Sequence, residues 1–265
     1  MLTDRYPQIK GLILDMDGVL WHDNEPIGNL SEIFSVISSM GLLVTFATNN
    51  ATKNVDELLR KLAFFGVSAQ AEQIVTSAIA ALSYISRHYP STSRIYVLGT
   101  DSLREQVRNE GFMVLDEPNP TNADIVLVAL DTDINYQKLA NAGLLIRAGA
   151  QFIATNTDKT YPTPHGLLPG AGTIVAAVAA ASGQEPIVIG KPQPTLFNLA
   201  MERMGTQPDE TLCVGDRLET DVLGGQNAGC MTAFVLSGAS TLEQAQAWQP
   251  QPTIIAKDLS SLLYD

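Results

Sequence analysis

In Gly11-Leu12-Ile13-Leu14-Asp15-Met16-Asp17-Gly18-Val19-Leu20, four apolar residues run straight into two carboxylates. A short apolar run bounded by turn formers reads as a buried strand, and the carboxyl end of such a strand is where open α/β sheets bind ligands. Outward from it, GLLVTFA at 41–47 gives a second strand and Thr52–Phe65 a helix, a βαβ pattern. The pattern resumes with PIVIG at 186–190, a helix over Pro194–Met204, LCVG at 212–215, a helix around Thr220–Ala228 and TAFVL at 232–236. Alternation of this kind predicts an α/β fold, a doubly wound parallel sheet covered by helices.

The middle of the chain repeats the alternation with its own strands, RIYVLG at 94–99, ADIVLVAL at 123–130 and AQFIATN at 150–156. That segment is long enough to fill a separate core. The expected organisation is a catalytic core of residues 1–76 plus 186–265, interrupted by an inserted α/β domain over 77–185.

Each core strand ends on residues with chemical potential. Asp15 and Asp17 follow the first, although a lone DxDG also suits two aspartates capping a turn. Thr48, Asn49 and Asn50 follow the second, offering a hydroxyl and backbone N–H groups that suit a phosphate and equally suit a helix cap. Lys191, held by Pro192, follows PIVIG and places an ammonium at a strand end. Asp216 and Asp221 lie on the loop after LCVG. If these acids converge with Asp15 and Asp17, an oxygen-loving divalent cation is the economical way to keep four carboxylates ionised, and magnesium fits such a site.

Taken in this order, the strings DMDGVLW, ATNN, GKPQPTLF and VGDRLETDVLGGQNAG resemble the haloacid dehalogenase superfamily of phosphatases, in its NagD and p-nitrophenylphosphatase branch. The similarity spans essentially the whole chain. It implies a Rossmann-like core with a C2-type cap inserted between the second and third motifs, where the strand pattern already places an insertion. It also implies roles: Asp15 as nucleophile, Asp17 as general acid and base, Thr48, Asn49 and Asn50 as phosphate binders, and Lys191 as charge neutraliser. Asp15, Asp17, Asp216 and Asp221 become the magnesium set, with Asp221 reaching the metal directly or through water. The activity implied is magnesium-dependent hydrolysis of small phosphate monoesters through an aspartyl-phosphate. A phosphotransferase passing the same phosphoryl group to a sugar or nucleoside hydroxyl is the alternative. A non-catalytic phosphate-binding protein is disfavoured by the intact acids. NTDKTYPTPHGLLP at 156–169 resembles the family's substrate-specificity loop, which singles out Tyr161 as a substrate contact and places His165 beside it.

Composition narrows the partners. A formal net charge of -12 argues against a polyanionic partner such as nucleic acid, whose phosphates need clustered Lys and Arg. No apolar run approaches about 18 residues, so no membrane partner is expected. Cys213 and Cys230 are too few for a disulfide framework, and Cys213 reads as a buried strand thiol, which with the absence of a signal h-region makes a reducing cytoplasm the default. The expected partner is a small phosphorylated metabolite, with homodimerisation left open. Two glycine motifs are decoys. Pro169-Gly170-Ala171-Gly172-Thr173 has Val175 where a dinucleotide loop has its third glycine, and Gly190-Lys191-Pro192 lacks the Ser or Thr of a P-loop.

Overall fold

The computed structural model describes residues 1–163 and 166–264. The chain divides into two compact units, one made of Met1–Thr48, Val55–Val75 and the chain from Lys191 onward, the other of Asn49–Asn54 and Thr76–Gly190.

The first unit is built on a six-stranded sheet in the order Ile254–Ala256, Met231–Val235, Thr211–Gly215, Gly11–Leu14, Leu43–Thr48, Ile74–Thr76. Gly11–Leu14 lies in parallel register with both neighbours, Leu14 standing opposite Val214 on one side and Phe46 on the other. From the centre the chain winds outward through 43–48 and 74–76 on one side and 231–235 and 254–256 on the other. The direction therefore switches between Gly11–Leu14 and Thr211–Gly215, the place where side chains of both strands can reach one ligand.

Strand residues alternate between the two faces. Leu12, Leu14, Val44, Phe46, Leu212 and Val214 join one buried cluster with Ile33 and Ile37 of the helix Leu30–Ser39 and Leu58 and Leu62 of Val55–Phe64. The helix Pro194–Met204 packs on the strands as well, and its Phe197 ring lies where Gly224 has no side chain; a Cβ there would sit 2.3 Å from the ring. Burial on both faces explains why these strands read as continuous apolar runs rather than alternating ones.

The second unit has its own five-stranded sheet, in the order Ile187–Val188, Gln151–Ala154, Ile125–Val128, Arg94–Leu98, Met113–Val114, with every neighbouring pair parallel. Its helices Ser77–His88, Asp101–Asn109 and Tyr136–Arg147 start on Thr76, Thr100 and Asn135, each of whose side chains accepts a backbone N–H of the first turn. A hairpin pairs Thr160–Thr163 with Gly166–Pro169. His165, singled out from the sequence, lies outside the described residues.

Two strands depart from the sequence reading. PIVIG was expected in the core sheet, yet Ile187–Val188 pairs with Gln151–Ala154 at the edge of the second sheet, and Gly190 N–H extends that pairing to the Thr155 carbonyl at 2.8 Å. The core sheet instead takes Ile74–Thr76, three residues too short to show a period.

Candidate active site

Parallel pairing delivers the ends of Gly11–Leu14 and Thr211–Gly215 side by side. Asp15 continues the ladder, its N–H donating to the Val214 carbonyl at 2.9 Å, and Asp216 follows Gly215 directly. A π-helical turn over Leu218–Val222 then turns Asp221 back toward the strand end; its Oδ2 accepts from Arg217 N–H at 3.1 Å. Carboxylate oxygens of Asp15, Asp216 and Asp221 come within 4.8 Å of one another.

Lys191 enters the same cluster with 3% of its surface exposed. Its Nζ donates to Asp15 Oδ1 at 2.6 Å and to Asp221 Oδ1 at 2.7 Å. Burial by itself would lower the pKa of this ammonium, but the fields of Asp15 and Asp221 and their hydrogen bonds outweigh it and hold the group above an ordinary lysine. Asp15 is pushed well above the usual carboxylate range by burial, Lys191 opposing and Asp221 and Asp216 adding to the rise. Asp216 is pushed up to about 6 by burial and by Asp221, against the Ala239 N–H that donates to its Oδ2 at 2.7 Å.

The cluster is therefore one cation short. Two buried carboxylates, Asp216 and Asp221, and the half-buried Asp15 face the Lys191 ammonium, and Asp216 Oδ1 is buried with no hydrogen-bond partner. An orphaned carboxylate oxygen among close-set acids fits a hard, oxygen-binding divalent ion. Close packing by residues without side chains permits this: a Cβ on Gly238 would fall 2.0 Å from Asp216 Oδ2, and one on Gly215 would fall 2.1 Å from Asp221 Cβ. Gly18, at φ +84, also lies against Asp216 and lets the chain reverse after Asp17.

Asp17, expected among the ligands, does not join the carboxylate cluster. It is exposed, and its Oδ1 accepts the Trp21 Nε1–H at 2.9 Å. The reversal at Gly18 sends its side chain elsewhere, something the spacing DxD cannot show. Thr48 ends its strand and is buried, as a strand-end hydroxyl of this sheet should be.

The remaining expected residues belong to the second unit. Asn49 Nδ2 donates to both oxygens of Asp158, at 3.1 and 3.2 Å, while its carbonyl accepts from Ser77 Oγ at 2.7 Å and Asn156 Nδ2 at 2.9 Å. Asn50 Oδ1 accepts from Thr52 N–H and Oγ, an Asx turn that lies ahead of the helix Val55–Phe64. Tyr161 lies half-buried on the hairpin, opposite Leu168. Sequence reasoning missed Trp21, although it stands in the quoted string DMDGVLW, and missed the loop after Met231–Val235, where Ala239 N–H holds Asp216 and Ser237 Oγ donates to the Gly18 carbonyl at 2.7 Å. Ala239 acts through its backbone N–H and so leaves no side-chain signature to find.

Known proteins show the same arrangement of chain. The family model described as haloacid dehalogenase-like hydrolase matches residues 12–113, and a second HAD-type hydrolase model matches 188–262. An acid sugar phosphatase of Staphylococcus aureus is 36% identical over 256 residues, covering 97% of each chain. NagD from Escherichia coli K-12 superposes with a TM-score of 0.87 at 32% identity, covering 95% of this chain and 97% of its own. Glycerol phosphate phosphatase Rv1692 from Mycobacterium tuberculosis, solved in complex with magnesium, gives a TM-score of 0.87 at 35% identity over 96% of this chain and 76% of its own. Sequence likeness over nearly the full length and likeness of fold thus agree, and the chain belongs to the haloacid dehalogenase-like hydrolases as a NagD-like phosphatase.

Proposed function

We propose that this phosphatase hydrolyses phosphate monoesters of small metabolites, sugar or polyol phosphates foremost, through an aspartyl-phosphate on Asp15 and with magnesium. The observation that carries the proposal is the close-set group of half-buried Asp15 and buried Asp216 and Asp221 around Lys191, with one Asp216 oxygen unpartnered. The names of the relatives, acid sugar phosphatase and glycerol phosphate phosphatase, support the substrate class.

Asp15, Asp216 and Asp221 are the residues that would hold magnesium. When bound, the ion supplies positive charge that offsets repulsion between the carboxylates and the phosphate oxygens. The chain's own residues do the rest. Lys191 holds Asp15 through Oδ1 and leaves Oδ2 to attack phosphorus, while its charge favours the ionised nucleophile. The new Asp15–phosphorus bond forms as the bond to the leaving oxygen breaks, and Asp17 gives that oxygen its proton. Asp17 then takes a proton from water, the water oxygen bonds to phosphorus, and the bond to Asp15 breaks to release inorganic phosphate. The Thr48 hydroxyl and the N–H groups after it are assigned to the phosphate. Substrate preference is assigned to the inserted unit, as its cap, with Tyr161 the residue that tests this. A cytoplasmic setting is part of the proposal; among the described residues no helix is long and apolar enough to cross a membrane.

The test is a screen of phosphorylated metabolites with magnesium, repeated after chelation and after magnesium is restored. Release of inorganic phosphate, lost on chelation and regained with magnesium, is the expected result. Unchanged turnover in excess chelator would sink the metal assignment, and transfer of the phosphoryl group to added sugar instead of water would redirect the chemistry to a phosphotransferase.

A further inference from the structure

Trp21 is 1% exposed and sits across the turn from Asp17. Gly18 N–H donates to the Trp21 carbonyl at 2.8 Å, a β-bridge joins residues 17 and 21, and the indole Nε1–H reaches Asp17 Oδ1 at 2.9 Å. The ring itself is fixed. Lys61 Nζ lies 4.2 Å from its centroid, Phe65 packs at 5.7 Å, and Lys61 also donates to the Asp23 carbonyl at 2.6 Å. An indole N–H only donates, and a cation over the ring face withdraws electron density from it, which strengthens that donor.

A buried indole needs some acceptor, and a backbone carbonyl would serve. Here the acceptor is an exposed carboxylate on the reacting loop, and it meets the indole through one oxygen only. We propose that Trp21 is a positioning residue for Asp17: its N–H pins Oδ1, so that Oδ2 is the oxygen aimed at the leaving group and at water, and Lys61 keeps the indole in place. The proposal rests on the reading of Asp17 as the acid and base.

The experiment compares single-turnover release of the leaving group from p-nitrophenyl phosphate, which departs without a proton, and from glycerol phosphate, which needs one. Trp21 is replaced by 3-benzothienyl-alanine, which keeps the shape and lacks the N–H, and in a second variant by Phe; D17N is run in parallel, all with magnesium. Loss of a hydrogen bond to a charged group should slow glycerol release about ten- to a hundredfold while p-nitrophenol release and KM stay near wild type. K61M should reproduce part of that selective loss and K61R should restore it. A wild-type ratio of the two rates in the benzothienyl variant, with D17N still selective, would overturn the role of Trp21 and leave Asp17 untouched. Equal slowing of both substrates in D17N would instead overturn the acid–base reading, and the proposal with it. Melting temperatures separate either result from simple unfolding, since a packing role moves stability and not the ratio.

Discussion

Lys191 shows what a single side chain contributes when it has two acceptors and almost no water. Its ammonium is the charge that lets Asp15 and Asp221 stand close together in a buried place. Lys191→Met should lower kcat by about a hundred- to a thousandfold, in the range seen when one preorganised charge partner is removed. It should also destabilise the fold by about 3–5 kcal/mol, because buried Asp221 and half-buried Asp15 lose their partner. Steady-state kinetics and denaturant titration check the two effects separately. Asp17→Asn addresses chemistry alone. On p-nitrophenyl phosphate it should give a burst of p-nitrophenol with a matching phosphate adduct in the intact mass, because the first step needs no acid while the second needs a base. The adduct should vanish when Asp15 is also changed to Asn. No burst and no adduct in Asp17→Asn itself would mean that Asp17 does something other than move protons.

Strands and loops decide whether such side chains meet. The loop after Met231–Val235 presents Gly238 and Ala239 to Asp216, one by having no side chain and the other by its N–H. Gly238→Ala would place a methyl group 2.0 Å from Asp216 Oδ2. The strand must shift or the acid must turn, at a cost of about 1–3 kcal/mol, and magnesium affinity should fall about ten- to a hundredfold. Calorimetric titration reads this, and wild-type affinity would show that the loop yields freely. At this scale the sequence is informative where a residue type carries the function. Asp15, Asp216, Asp221 and Lys191 were all legible as strand-end residues, and the structure gathers them. It is less informative where partners decide. An apolar run such as PIVIG can pair in either of two parallel sheets, and nothing in its composition names the neighbour. The Ile74–Thr76 strand is too short to betray itself, and the direction of Asp17 depends on a turn geometry that DxDG permits without requiring.

Protons and the proposed magnesium ion would compete for the acidic cluster, and that competition would reach the stability of the whole chain. Asp216 is pushed up to about 6 in the folded protein, against a usual value of 3.8. Between those limits the native state holds a proton that the unfolded chain has lost, so raising the pH through this window removes stability, by about 3 kcal/mol at full extent. Asp15 is shifted in the same direction. The Lys191 contribution has the same sense in a much higher window, present below 10.5 and lost only as pH rises through its higher folded value, so it is constant across the acid range. Metal-free protein should therefore become less stable from about pH 4 to pH 7, Asp216→Asn should flatten that slope, and magnesium should raise the melting temperature far more at pH 7.5 than at pH 4.5. Thermal melts across pH, with and without magnesium, give the answer; identical slopes for wild type and Asp216→Asn would refute it. The same long-range wiring has a consequence during synthesis. Gly11–Leu14 pairs on one side with a strand made soon after it and on the other with Thr211–Gly215, while Lys191 reaches back 176 residues to Asp15. On the ribosome Asp15, the proposed nucleophile, emerges long before Lys191, so a nascent chain that ends at Gly190 already carries every strand of the five-stranded sheet, while its first strand waits with one open edge and the acidic cluster is not yet assembled.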